Sequence, residues 1–142
     1  MTGKQPKRLP RPGVDEYGRT PMHYAALSGN GGEIHRLFLE GADPNAQDDN
    51  GFTPLHFAAQ QNSVVATEAL LSIGAQMEIK DAYGNTPLFK AVFSCTGSGS
   101  VIVILREAGA DPYSKNNYDV SPLSLARTIA NFDVAQFFKD LP

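Results

Sequence analysis

The stretch that decides the fold is Thr53 to Ala59, TPLHFAA. Threonine is a strong helix N-cap, and proline suits the first helical position because its missing N–H would have no partner there. The small and apolar residues that follow predict a helix with one closely packed face. The stretch also contains His56, one of three histidines in the chain. Catalysis, metal binding and a structural hydrogen bond are the three roles to be distinguished for it.

The same stretch recurs along the chain at a nearly constant interval. TPMHYAA begins at Thr20 and TPLFKAV begins at Thr86, so three copies follow one another at a spacing of 33 residues. A weaker copy, SPLSLA, begins at Ser121, 35 residues after the third. An internal period of this length predicts stacked helical units, because each unit is too thin to bury its own apolar face.

Two further landmarks recur in step with the TP motif. They are the Gly-Ala pairs that begin at Gly41, Gly74 and Gly109, and the Asp-x-x-Gly turns that begin at Asp15, Asp48 and Asp81. The Gly-Ala pairs are spaced by 33 and then 35 residues, so two extra residues lie in the segment 94–100 of the third copy. The glycines fit the left-handed residue that closes many helices. The Asp-x-x-Gly turns predict hairpin loops.

A second helix is predicted in each unit, before its Gly-Ala pair. In the second unit, Val65, Ala69 and Leu70 are spaced i, i+4 and i+5. We expect all three side chains to point into the stack.

These motifs resemble the ankyrin repeat over roughly residues 14–142. The resemblance implies an all-α solenoid of helix-turn-helix units with projecting hairpin loops. About four repeats are expected, at approximately residues 15–47, 48–80, 81–115 and 116–142. In the fourth, Asn116 replaces the turn aspartate, Asp119 the glycine and Ser124 the histidine, and the chain ends inside the second helix. We interpret this repeat as a degenerate C-terminal cap.

Composition limits the class of protein and its location. The 142 residues are 42% hydrophobic and 19% charged, which is typical of a soluble globular domain. No apolar run approaches the ~18–20 residues that span a bilayer, and the N-terminus has no apolar segment of the secretory type. Cys95 is the single cysteine, which fits a reducing compartment. We predict a cytoplasmic protein without membrane contact.

The charges are unevenly distributed. Four basic residues and no acidic residue precede position 13: Lys4, Lys7, Arg8 and Arg11. The chain has 12 basic and 15 acidic residues, so residues 13–142 hold 8 and 15, a net charge of −7. An acidic body argues against nucleic acid as the ligand, because phosphate binding needs clustered Lys and Arg. We interpret residues 1–13 as a flexible basic leader and 14–142 as the repeat domain.

The histidines favour a structural role over a chemical one. His23 and His56 occupy the same place in successive repeats, whereas a catalytic residue is needed only once. The resemblance implies that this histidine bridges backbone groups of adjacent turns. Neither has a cysteine or second histidine at i+3 or i+4 to complete a metal site. We therefore predict no catalytic residue, no metal and no cofactor, and a non-enzymatic protein.

Cys95 supplies the alternative reading as an enzyme. It lies in the Gly/Ser-rich segment 94–100, and its own repeat contains no histidine. A hydrolase would need Cys95 beside His23 or His56 as a base. We regard this as the less favoured alternative.

Proteins that resemble this one bind other proteins, chiefly through hairpin tips and the concave face of the first helices. Adding the repeat length places several aromatic and polar residues at positions that the repeat core does not require to be apolar, and aromatic residues dominate interface hot spots. The predicted partner-binding residues are Tyr17, Arg19, Leu27, Asp49, Asn50, Phe52, Gln60, Gln61, Tyr83, Asn85, Phe93, Asn117 and Tyr118. For Phe52 and Phe93, local packing is the alternative. Aspartates in the hairpins are expected to form an acidic rim that favours a basic partner.

The resulting interpretation is a monomeric protein–protein interaction module that inhibits or positions its partner. Small proteins resembling this one occur as inhibitors, as bacterial immunity proteins and as adaptors. We favour an inhibitor or immunity protein, because a single short domain has little room to bridge two partners, and keep an adaptor or scaffold as the alternative. The sequence does not identify the partner.

Overall fold

A computed structural model describes residues 11–129 and 133–142. Positions 1–10 of the predicted leader lie outside the described residues. The helices are α1 Pro21–Leu27, α2 Gly31–Leu39, α3 Pro54–Gln60, α4 Val64–Ser72, α5 Pro87–Phe93, α6 Ser100–Glu107 and α7 Pro122–Thr128, followed by a C-terminal 3-10 helix, Val134–Phe138. The described residues contain no β-strand. The prediction of an all-α repeat architecture is confirmed.

The first helix of each repeat begins as the TP motif predicts. Proline occupies the first turn of α1, α3, α5 and α7, and the preceding Thr20, Thr53, Thr86 or Ser121 accepts a hydrogen bond from a backbone N–H of that turn. This bond satisfies one of the N–H groups that a helix start leaves without an intrahelical partner.

The core lies between a row of first helices and a row of second helices. The helices α1, α3, α5 and α7 pack in succession, and α2, α4 and α6 cover them on one side. The first helices contribute Met22, Leu55, Leu88 and Leu123, and the second helices contribute Leu37, Leu70 and Leu105, all buried. Buried alanines such as Ala58 let neighbouring helices approach closely.

One expectation for the second helices is wrong. Ala69 and Leu70 are buried, but Val65 is 58% exposed. Val65 lies near the start of α4, where its side chain contacts Gly31 of the preceding repeat and otherwise faces solvent. A glycine at that site supplies no side chain to cover it.

The hairpins form a ladder of backbone hydrogen bonds. The N–H groups of Asp49, Ala82 and Asn117 donate to the carbonyls of Tyr17, Asn50 and Tyr83 over 2.9–3.0 Å. At the tip of each of the first three hairpins a glycine has a φ of 75–80°. Those glycines are Gly18, Gly51 and Gly84, and a Cβ on any of them would approach the next hairpin to within 3.0 Å.

The fourth hairpin makes the same turn without glycine. Asp119 has a φ of 64°, and its side chain is 81% exposed. Within the described residues no further hairpin lies beside it, so its Cβ has room. Aspartate is one of the few residues other than glycine that tolerate this backbone region.

The last repeat is closed by the 3-10 helix where the other repeats have a second α-helix. Val134 and Phe138 from this helix are buried in the core. Arg106 on α6 fixes the following turn through two bonds to Asp140, at 2.7 and 3.0 Å, and a third to the carbonyl of Phe137. A Cβ on Gly99, in the loop with the two extra residues, would lie 2.3 Å from the Phe137 ring.

Candidate partner-binding surface

His23 links the first two repeats. Its Nδ1 accepts the backbone N–H of Thr20 at 2.9 Å, which leaves the ring proton on Nε2. Nε2 donates that proton to the carbonyl of Phe52, in the next hairpin, at 2.8 Å. Burial lowers the pKa of His23 and favours this neutral form.

His56 makes the same link between the second and third repeats. Its Nδ1 accepts the N–H of Thr53 at 3.0 Å, and its Nε2 donates to the carbonyl of Asn85 at 2.8 Å. Burial also lowers its pKa. The bridge implied by the resemblance is therefore present at both histidines. Both ring nitrogens are occupied by backbone groups, which leaves neither ring available as a base.

Neither His23 nor His56 is available as a base for Cys95. Its side chain is buried, and its thiol donates to the carbonyl of Ser98 at 3.5 Å. Because the nitrogens of His23 and His56 bond backbone, the structure gives no support to a hydrolase built on Cys95. Among the described residues no group of three or more His, Cys, Asp or Glu side chains is arranged to hold a metal ion.

The aspartates that begin the hairpins point into their own turns. In each case Oδ1 accepts the backbone N–H groups two and four residues later, at 2.9 Å for Asp15 and Asp48 and at 2.8 and 3.0 Å for Asp81. Asp48 and Asp81 are buried. The hydroxyl of Tyr24 donates to the second oxygen of Asp15 and lowers the pKa of that carboxyl.

Asp48 and Asp81 therefore do not belong to an exposed acidic rim, because they are buried in their turns, although their charge remains. Two other members of the rim have basic partners. Asp49 bonds Arg11 at 2.9 and 3.0 Å, and Asp119 lies 3.2 Å from Lys115. The exposed negative charge of the hairpin tips is therefore partly paired with basic side chains.

A row of rings and cations crosses the first three repeats. The Arg19 guanidinium lies 5.1 Å from the ring centre of Tyr17 and 5.0 Å from that of Phe57, and its Nε is 3.5 Å from Asp48. Phe57 meets Phe52 edge to face at 5.4 Å. The ammonium of Lys90 lies 5.0 Å from the centre of the Phe52 ring. Cations at this distance from an aromatic face are attracted to it.

The predicted partner-binding residues divide into two groups. Those exposed are Tyr17, Asp49, Asn50, Gln61, Tyr83, Phe93, Asn117 and Tyr118, and those partly buried are Arg19, Leu27, Phe52, Gln60 and Asn85. Leu27 and Phe52 pack against the core. Phe93 is 66% exposed and Tyr118 is 72% exposed.

Several of these residues also hold the hairpins together. The Asn85 side-chain oxygen accepts from the Asn116 side chain at 2.8 Å, and the Asn117 side chain donates to the Ala82 carbonyl at 3.0 Å. The hairpin tips and the exposed side of the first helices nevertheless form one continuous face along the stack. Its largest exposed rings are Tyr17, Tyr83, Phe93 and Tyr118.

Two residues on this face were not predicted from the sequence. Tyr24 is 42% exposed and Lys90 is partly buried. The same position in the repeat is filled by Tyr24 in the first repeat, Phe57 in the second and Lys90 in the third. Adding the repeat length to Tyr24 would have found Lys90, but the buried Phe57 makes that position look like core.

Comparison with protein-family models matches residues 30–116, more than half of the chain, to a model described as ankyrin repeats (3 copies). Comparison with curated proteins gave no significant match. No helix within the described ranges is long and apolar enough to cross a membrane. The matched segment contains the His56 bridge and the helices α2 to α6, and the chain is a member of the ankyrin repeat family, whose repeats generally mediate protein–protein interaction.

Proposed function

We propose that this protein binds a partner protein through the face that joins its hairpin tips to the exposed side of its first helices. The observation that carries the proposal is the exposure of four aromatic rings on that face: Tyr17 at 54%, Tyr83 at 53%, Phe93 at 66% and Tyr118 at 72%. Aromatic side chains contribute much of the energy of protein interfaces, because they bury large areas at a small cost in side-chain entropy.

Phe93 is the centre of the proposed contact. It ends α5, and the core does not use its ring. The same position holds Leu27 in the first repeat and Gln60 in the second, both partly buried. A large apolar side chain in this place is therefore not required by the repeat, which supports a role in binding.

The proposed action is occlusion of one partner, as an inhibitor or an immunity protein, in a monomeric form in the cytoplasm. A short array offers one concave face, so a partner bound there is covered rather than joined to a second one. An adaptor that links two partners is the alternative. The preference for a basic partner is weakened, since Asp48 and Asp81 are buried and Asp49 and Asp119 have basic partners within the chain.

The test is affinity capture from the native host with matched variants. Phe93→Ala is expected to lose the protein that the wild type captures, with a Kd at least about tenfold weaker for the isolated pair. Leu39→Ala is the control, because Leu39 is an exposed apolar residue at 85% on the outer helix α2. Both variants should melt close to the wild type.

Two outcomes would contradict the proposal. Capture that survives Phe93→Ala unchanged would place the contact elsewhere, and capture lost with Leu39→Ala would place it on the outer helices. Phe52→Ala is informative as a third variant. Its ring packs on Phe57 and the core, so we expect this change to lower the melting temperature.

A further inference from the structure

The first helices carry charge of one sign only. The segments α1, α3, α5 and α7 contain no aspartate or glutamate. Their permanent cations are Lys90 and Arg127, and Arg127 donates to the carbonyls of Leu141 and Pro142 at 3.2 and 2.7 Å. The chain as a whole has a net charge of −3. Its acidic residues are placed in the hairpins, in the connecting segments and on the second helices, such as Glu33 and Glu68. Lys90 is thus the positive charge that the first helices offer on an acidic protein.

Lys90 belongs to α5, the first helix of the third repeat. It lies one turn before Phe93 on α5 and is partly buried. Its ammonium rests on the Phe52 ring and forms no ion pair with any described residue. The ring orients the side chain and removes part of its water, which makes a charge partner supplied from outside more valuable.

The repeat pattern suggests an ion-pair partner for Lys90 within the chain, but that ion pair is not formed. Tyr24 and Asp15 are nine residues apart and hydrogen-bonded, and Lys90 and Asp81 stand in the same relation in the third repeat. Asp81 nevertheless uses Oδ1 for its own turn, and its Oδ2 is buried without a hydrogen-bond partner among the described residues. The carboxylate is turned inward, and the lysine remains unpaired.

We propose that the partner presents an acidic, apolar segment to this face, with an aspartate or glutamate carboxylate on Lys90 and an apolar side chain on Phe93. This inference rests on the proposed protein-binding function and gives the partner's chemistry. The second cation of the row, Arg19, lies beyond Phe57 and Phe52, and its Nε already has an ion-pair partner in Asp48 at 3.5 Å. The charge preference is therefore local to Lys90 and opposite in sign to that expected from the number of hairpin aspartates.

The experiment is selection from a random peptide library displayed on phage, using the immobilised wild-type protein. The enriched peptides should contain an excess of Asp and Glu over Lys and Arg, next to apolar residues. Lys90→Glu should remove that excess. Lys139→Glu, an equal charge change at an exposed position after the 3-10 helix, should retain it.

A second measurement uses one enriched acidic peptide. Lys90→Gln keeps much of the aliphatic stem on Phe52 and removes the charge, so it is the variant to use if Lys90→Glu fails to melt cooperatively. Its affinity for the peptide should fall about fivefold, and the wild-type affinity should weaken as salt is added. Phe93→Ala is included to test the binding face itself.

The outcomes separate the two proposals. Two results would overturn the acidic partner and leave the binding face in place. One is that the enriched peptides require Phe93 but show no acidic excess. The other is that Lys90→Glu enriches peptides with the same acidic excess as the wild type. A wild-type selection with no enrichment over the bare matrix would overturn both. Enrichment of basic peptides would restore the opposite charge preference and refute this one.

Discussion

The second and fourth repeats use the same motif under different conditions. His56 and Ser124 hold the same place, three residues after the helix cap, and each accepts the backbone N–H of that cap. His56 extends further and reaches the carbonyl of the following hairpin, whereas Ser124 bonds only Ser121 of its own repeat. The longer side chain joins two repeats at this place in the first and second repeats, whereas the third repeat has Phe89 there and packs on the fourth without this bridge.

The hairpin tips show the same contrast. Gly84 faces the backbone of Asn117 in the next hairpin, and Asp119 faces solvent. Both have the left-handed backbone. An internal repeat therefore has to satisfy its turn and its neighbour together, while the terminal hairpin has to satisfy its turn alone.

The largest expected effect distinguishes His56 from Ser124. His56→Ala should lower the free energy of unfolding by about 3–5 kcal/mol, because it leaves a cavity and deprives the buried Thr53 N–H and the Asn85 carbonyl of their partner. Ser124→Ala should cost less than about 1 kcal/mol, since Ser124 is exposed and its bonds are local. Urea denaturation of both variants measures the difference. Equal losses would mean that the histidine bridge contributes no more than the cap.

The next effect concerns the hairpin tips. Gly84→Ala should destabilise by at least about 2 kcal/mol, since alanine is strained at a φ of 80° and its Cβ would lie 2.8 Å from the Asn117 nitrogen. Asp119→Ala meets no neighbour, and the loss of its exposed ion pair with Lys115 should keep the cost near or below about 1 kcal/mol. Thermal or urea unfolding checks the order. A reversed order would show that the turn alone, without its neighbour, selects glycine.

The smallest effect is on pH dependence. The folded pKa values of His23 and His56 are lowered by burial, while an unfolded histidine titrates near about 6.5. Below that pH the unfolded chain binds protons that the folded chain does not, so stability present at pH 7.5 should fall as the pH decreases toward the folded pKa values. His56→Phe, which copies the residue at position 89, should reduce the change in unfolding free energy between pH 7.5 and 5.5.

A different pH window provides the control for that measurement. The lowered pKa values of Asp15, Glu33 and Asp140 come first from side-chain hydrogen bonds to Tyr24, Arg36 and Arg106 respectively. Ordinary carboxyls titrate near about 4, so the contribution of these groups is lost below that pH. A His56→Phe variant with the wild-type slope between pH 7.5 and 5.5 would exclude His56 as a source of the dependence.

The sequence predicted the fold well because the repeat is specified locally. A cap, a proline and a left-handed glycine each follow from short-range chemistry, and their period gives the stack. The exposure of Phe93 and of the hairpin tyrosines also agrees with their positions in the repeat. Whether a partner contacts them is not a property of the period and stays a prediction.

The errors arose where one side chain had two possible environments. The turn aspartates suit both a charged rim and a self-bonded turn, and the burial of Asp48 and Asp81 within their turns could not be read from the sequence. Phe52 lies at a position filled by Arg19 and Asn85 in the adjacent repeats, yet it packs on Phe57. Val65 fits the apolar period of α4 but contacts Gly31, which leaves it largely uncovered.

The contact between Gly99 and Phe137 limits how the repeats can be exchanged. The third repeat receives the ring of the terminal 3-10 helix at a glycine within its longer loop, where a Cβ would lie 2.3 Å from the ring. A copy of the second repeat has Val64 at the corresponding place and a loop two residues shorter. The second repeat is thus the unit to duplicate in a longer engineered array, while the third and fourth repeats must be transferred together.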